Sequence, residues 1–205
     1  MESSFVHRAD RHFPLRWLHD RLSLNDPPER VDLIFVFAGS MDRKRYGLEL
    51  YNAGFAPRLL LSVGRFEVSK MSRIDFEGLN ELIAQRDKLP PHQRHFFCEM
   101  DAAGLHIDRP KLLKWNTYGE ILGLREYLQG RSIRSLMVIS SDVHMRRVAL
   151  MIDKVFHGAP LRFCYSSVPT VKDGYVLKET LKLAAYQVIL RLPDWMIRRI
   201  LRLKG

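Results

Sequence analysis

Cysteine is scarce in this 205-residue chain: Cys98 and Cys164 stand far apart, with no CxxC and no Cys/His spacing around them. That scarcity excludes a disulfide framework and a zinc site, favours a reducing compartment, and leaves both thiols as small core residues within strand-like runs. Long apolar stretches are missing too; none approaches the roughly 20 residues of a membrane-spanning helix. Met1 to Asp20 is charged and aromatic-rich with no apolar stretch of a secretory signal, so the chain is expected to stay in the cytoplasm, where it is made. The histidines form no HExxH or HxH, and no metal ligands are expected. GxGxxG, GxxxxGKS/T and GxSxG are all absent, which disfavours ordinary dinucleotide binding, ATP hydrolysis and a nucleophile elbow.

Acids are in short supply as well, 23 against 33 Lys and Arg, for a net charge of +10. Such a surplus favours anionic partners: phosphorylated small molecules, anionic lipid or nucleic acid. Nucleic acid is the weakest of these, because no helix shows a basic face with interleaved aromatics and no known motif is present. The apolar fraction of 46% and charged fraction of 27% are those of a globular protein.

Five short apolar runs read as buried strands: Val31–Phe37, Arg58–Val63, His95–Glu99, Ser135–Ser140 and Pro160–Tyr165. Segments with helical spacing lie between and after them: Arg43–Ala53, Ser72–Lys88, Thr117–Gln129 and Val143–Phe156. Strands alternating with helices predict an α/β fold, a mostly parallel sheet of about five strands with helices on both faces. Met100–Trp115 has no period and reads as a loop or lid. Residues 1–30 read as an N-terminal arm over the domain, 31–192 as the α/β domain, and 193–205 as a basic amphipathic C-terminal helix beginning at Pro193. On that helix Met196, Ile197, Ile200, Leu201 and Leu203 share an arc opposite Arg198, Arg199 and Arg202. It suits either an anionic membrane surface or packing against the protein.

In such sheets ligands bind beyond the carboxyl ends of the strands. After the first strand come Gly39 and Ser40, a turn that admits a close approach to backbone amides. Arg45, in the helix that follows, is expected to aim at the crevice. After the fourth strand, Ser140-Ser141-Asp142 precedes His144 and Arg147. Ser141 or Asp142 would cap the new helix, and His144 and Arg147, three apart, share one face of it. Asn116 or Thr117 reads as another N-cap, with Glu120 three or four residues on as in a capping box.

Taken in order, these signals resemble the YdcF/SanA/ElyC-like family, a bacterial domain of unknown function, from about Val31 to Tyr186. The signals are Asp32–Phe37 leading to Gly39 and Arg45; Leu50-Tyr51 with Gly54 and Ala56-Pro57; Asn116-Thr117; and Ser140-Ser141 with His144-Met145 and Arg147. The resemblance implies a Rossmann-like three-layer sandwich and a charged enzymatic site. Some members are linked to envelope and peptidoglycan metabolism, and one binds S-adenosylmethionine. By position Arg45, Asn116, Thr117, Ser140, His144 and Arg147 match the family pattern, with Glu179 at a late acidic position. The family's double glycine after the second strand reads Ser62-Val63-Gly64 here, leaving Gly64 to line the ligand. Its Glu after the Asn-Thr pair falls on Gly119, with Glu120 one place later.

The expectation is therefore an enzyme, a hydrolase or transferase, acting on a small phosphorylated or nucleotide-like substrate linked to envelope metabolism. Its cofactor is unassigned. Arg45 and Arg147 would hold the anion and His144 would act as general acid/base. Asn116, Thr117, Ser140 and Ser141 would orient the ligand, and Glu120 or Glu179 would polarise the imidazole. The alternative is a non-catalytic module that binds a nucleotide or S-adenosylmethionine, or that regulates from the inner membrane surface.

Overall fold

Strands covered on both sides need apolar residues at every position, and the first strand has them. In a computed structural model, which describes residues 13–74, 76–110, 116–169 and 174–202, β1 (Leu33–Val36) is buried throughout. So is β2 (Leu59–Val63), paired parallel to it with Phe35 opposite Leu60. The sheet has six strands in the order β4-β3-β2-β1-β5-β6. β5 (Ser135–Ser141) and β6 (Arg162–Val168) continue the parallel half on the far side of β1. β3 (Phe96–Asp101) and β4 (Gly104–Asp108) are antiparallel additions beside β2. All five expected strands are present. The sixth, β4, corrects the reading of Met100–Trp115 as a loop, since Met100–Asp108 is a strand end, a tight turn and a returning strand; residues 111–115 lie outside the described set.

Helices flank the sheet, and side-chain alternation along β1 sorts them. Leu33, Phe35 and Phe37 join one core cluster with Ile121 and Leu124 of α4 (Thr117–Leu128), and with Met145, Val148 and Ile152 of α5 (Asp142–Val155). Ile34 and Val36 join a second cluster with Leu48 and Leu50 of α2 (Met41–Asn52) and Leu82 of α3 (Leu79–Asp87). Each fully buried Leu or Phe contributes roughly 1.5–3 kcal/mol. The helix expected over Ser72–Lys88 is shorter: a 3-10 turn spans Val68–Arg73 and α3 starts only at Leu79, after Gly78. Cys98 and Cys164 are both buried and unpaired.

The arm lies over the domain from α1 (Phe13–Leu22), which packs on α5 and on α6 (Gly174–Ile189). It then runs along the outer edge of β6, where Asp26 N–H donates to Tyr165 O at 2.6 Å and Ser167 N–H donates to Asn25 Oδ1 at 2.7 Å. A capped edge strand cannot pair with another chain. Residues 1–12 lie outside the described set. After Pro193, α7 (Asp194–Arg202) turns its apolar arc inward: Ile197 and Leu201 are buried in the α4–α5 cluster. Of the two readings of this helix, a membrane surface or packing against the protein, the apolar arc follows the second, since the core already occupies it; Leu203 lies outside the described residues. Among the described residues no helix is long and apolar enough to cross a membrane.

Candidate functional site

Two strand-to-helix turns meet at the centre of the sheet. β1 feeds α2 on one face, and the adjacent β5 feeds α5 on the other, so the crevice between their carboxyl ends is the switch point of the topology. Neither helix start is capped by a side chain: Ser40 and Ser141 occupy the N-cap positions of α2 and α5 without a capping hydrogen bond. Among the described residues the first-turn amides of α2 therefore lack the side-chain acceptor that usually satisfies them, while in α5 Val143 N–H donates to Asp142 Oδ1 at 2.7 Å and the remaining first-turn amides have no side-chain acceptor.

Arg43 ties the turns together. Its Nε and Nη2 donate to Ser141 Oγ at 3.0 and 2.7 Å, and its Nη1 donates to Ala38 O at 2.7 Å. Gly39 makes room for this, with φ +141 and a position where a Cβ would lie 2.6 Å from the Arg43 guanidinium. All three bonds go to uncharged oxygens, and no carboxylate forms an ion pair with Arg43 among the described residues. Burial lowers its pKa, opposed by the charges of Glu120, Glu67 and Glu179; a guanidinium nonetheless stays charged.

Arg43, not Arg45, therefore reaches the crevice. Arg45 is half-exposed and pairs with Asp42 at 3.0 Å, which corrects its expected role in anion binding. The reason is helical phase: two residues along α2 rotate a side chain by about 200°.

Around β5 the expected residues converge. His144 Nδ1 lies 2.8 Å from Ser140 Oγ, and Nε2 lies 3.3 Å from Thr117 Oγ1. Arg147 Nη1 reaches the same Thr117 hydroxyl at 3.5 Å. Burial drives the His144 pKa well below its ordinary value, and the charges of Arg147, Arg43 and Lys182 add to the effect. The ring is thus neutral at physiological pH and able to accept a proton. Asn116 is the α4 cap, its Oδ1 accepting from Gly119 N–H at 2.8 Å.

Neither expected carboxylate touches His144. Glu179 binds Arg147 at 2.9 Å and Lys182 at 2.7 Å; burial would raise its carboxyl, but those two cations outweigh burial and hold it low. Glu120 turns away from the cap of its own helix toward β1 and β2, accepting from Ala38 N–H at 3.0 Å and Ser62 Oγ at 2.6 Å. Burial pushes its carboxyl up against those two hydrogen bonds. The imidazole is oriented by two hydroxyls, so the assignment of Glu120 or Glu179 as its polarising acid is corrected.

Sequence reasoning missed a second cluster entirely. Glu67, just past β2, accepts from the amides of Gly39 and Gly64 and holds Lys44, fully buried on α2, at 2.7 Å. The two glycine amides expected to receive a ligand thus already have an internal carboxylate. Next to them His95 Nε2 lies 2.7 Å from Ser62 Oγ. Burial, aided by Lys44, pushes His95 down to about 4. A histidine held neutral in the fold stabilises it above the unfolded value near 6.5, and that stabilisation drains away as pH falls toward 4. Urea titrations should show His95 removing about 2 kcal/mol by pH 5, and His95→Gln should flatten that limb of the stability curve. Only the order of the strands brings Lys44, Glu67 and His95 together, so no local motif signals them. Among the described residues no group of three or more His, Cys, Asp or Glu is placed to hold a metal ion.

No protein-family model, no curated protein and no solved structure matches the chain.

Proposed function

We propose that this chain is an enzyme acting on a small phosphorylated or nucleotide-like anion bound between the β1 and β5 turns. We also propose that it belongs with the YdcF/SanA/ElyC-like proteins, sharing their Rossmann-like three-layer arrangement. One observation carries the functional reading: a partly buried guanidinium, Arg43, with no ion pair among the described residues, set between two helix starts whose N-cap serines make no capping hydrogen bond. A phosphate supplies what that place lacks, negative charge and several acceptors for guanidinium and amide donors.

In this reading Arg43 anchors the anion, and Arg147, already shared with Glu179, orients it from α5. His144 takes a proton from the substrate or its attacking group, at or through the Thr117 hydroxyl it touches. The exposed Phe66 ring, with the Arg65 guanidinium 4.2 Å from its centroid, stands on the β2 turn that Glu67 pins to β1. That aromatic face favours a nucleotide-like substrate over bare phosphate. The donors around Arg43 would serve a purely binding protein equally well; an imidazole held between the Ser140 and Thr117 hydroxyls, with Arg147 on the same threonine, favours catalysis.

Thermal unfolding in the presence of inorganic phosphate, nucleotides and S-adenosylmethionine tests the site. At least one phosphorylated compound should raise the midpoint of the wild type. Arg43→Gln should weaken that ligand about ten- to a hundredfold, the worth of a charge-assisted hydrogen bond. Equal stabilisation of both proteins would remove Arg43 from the site and the proposal with it.

A further inference from the structure

Among the described residues seven large apolar side chains are exposed, and five of them, Tyr175, Leu177, Leu181, Val188 and Trp195, lie on α6 or at the start of α7. Scattered apolar residues on a surface need no explanation, but a concentration of them does. At about 100° per residue, Leu177, Leu181 and Val188 fall within about 40° of one another around α6, with the exposed Ala184 on the same line. The opposite side of α6 faces the protein through Val176 and Glu179. Trp195 stands away from the buried Ile197 and Leu201 on α7, so it too points outward.

Charge marks what this face would meet. From Gly174 to Arg202 the chain has six cations, Lys178, Lys182, Arg191, Arg198, Arg199 and Arg202, against two acids. Both acids are engaged: Glu179 is buried against Arg147 and Lys182, and Asp194 lies 3.4 Å from Lys154. Lys178, Arg191 and Arg199 are exposed. An apolar line on a helix rich in exposed cations fits an anionic bilayer surface. The apolar line enters the interface, and the ammonium and guanidinium groups meet headgroup phosphates. A second copy of the chain fits poorly, because two such faces would set cation against cation with no unengaged acid between them. The apolar centre of the stripe has nothing to offer a nucleic acid backbone.

We propose that the outer face of α6 docks the protein on an anionic lipid surface. This is a different face from the apolar arc of α7, and it does not depend on the reading of the β1–β5 crevice.

The full-length protein is sedimented with phosphatidylcholine vesicles and with mixed phosphatidylcholine/phosphatidylglycerol vesicles, and its size in solution is measured alongside. The wild type should pellet with the mixed vesicles only, less so as salt rises. Leu177→Asp/Leu181→Asp should reduce the bound fraction about tenfold. Both positions are already in water, so its urea midpoint should match that of the wild type. Lys178→Glu/Arg199→Glu, which keeps the apolar line, should bind both vesicle types equally weakly. No binding by the wild type, or undiminished binding by the leucine variant, would overturn the proposal. So would a dimer that the leucine variant splits, because the stripe would then be a contact between copies.

Discussion

Glu67→Ala should cost the fold about 3–5 kcal/mol, the usual penalty for removing one partner of a buried ion pair. The Lys44 ammonium is wholly buried, and the Glu67 carboxylate at 2.7 Å is its ion-pair partner. The same carboxylate accepts the Gly39 and Gly64 amides, so the substitution strands two backbone donors as well. For a chain of this size the loss corresponds to a fall of about 6–20 °C in the thermal midpoint. Lys44→Met should be milder, because Glu67 keeps its two amides. The double variant Lys44→Met/Glu67→Gln should recover much of the loss, since an uncharged pair no longer needs mutual compensation. A Glu67→Ala protein within about 1 kcal/mol of the wild type would show that the pair does not hold the two turns together.

The second large effect concerns turnover. Once a substrate is found by thermal shift, His144→Ala should lower kcat by about a hundred- to ten-thousandfold, the range for loss of a general acid/base. It also leaves the buried Ser140 hydroxyl without its partner, so His144→Gln is the cleaner variant: it can hydrogen-bond but cannot take a proton. Both should be equally inactive. Full activity in either variant would remove His144 from the chemistry.

The pH profile carries an independent signature. Because burial and the nearby cations hold the imidazole well below its ordinary value, the base form persists as pH falls. The acid limb of kcat/KM should therefore lie well under pH 6.5, not at it. A bound anion offsets the charges of Arg43 and Arg147 and favours the imidazolium, so the limb of kcat should lie higher than that of kcat/KM. An acid limb of kcat/KM at the ordinary histidine value would mean that a different, exposed group titrates.

These expectations depend unequally on the two levels of reading. The site at β5 was largely legible: Ser140, Thr117, His144 and Arg147 were all named from spacing and resemblance, and they do meet. A strand end followed by a helix start places residues 140, 144 and 147 by local geometry alone, with little room for error. The β1 side was not. Arg43, Lys44 and Arg45 are consecutive bases, and which one enters the crevice depends on helical phase, so the expected Arg45 proved to be the wrong member of the triplet. The carboxylates misled for a related reason. Glu120 has the spacing of a capping box, but burial under β1 and β2 offered it Ala38 N–H and Ser62 Oγ instead.

The amino-acid order alone determined where five of the six strands lie, where helices follow them, and that the excess charge is positive. Those properties are written in composition and in runs of a few residues. β4 escaped notice because its positions alternate between exposed and half-buried and so form no continuous apolar run. Tertiary structure decided the rest: which cation faces the crevice, which carboxylates are already engaged, and that the apolar side of α7 is spent on the core while that of α6 is left outside. The reason is physical. Burial and partnership belong to pairs of residues distant along the chain, and only the packed sheet determines which pairs meet.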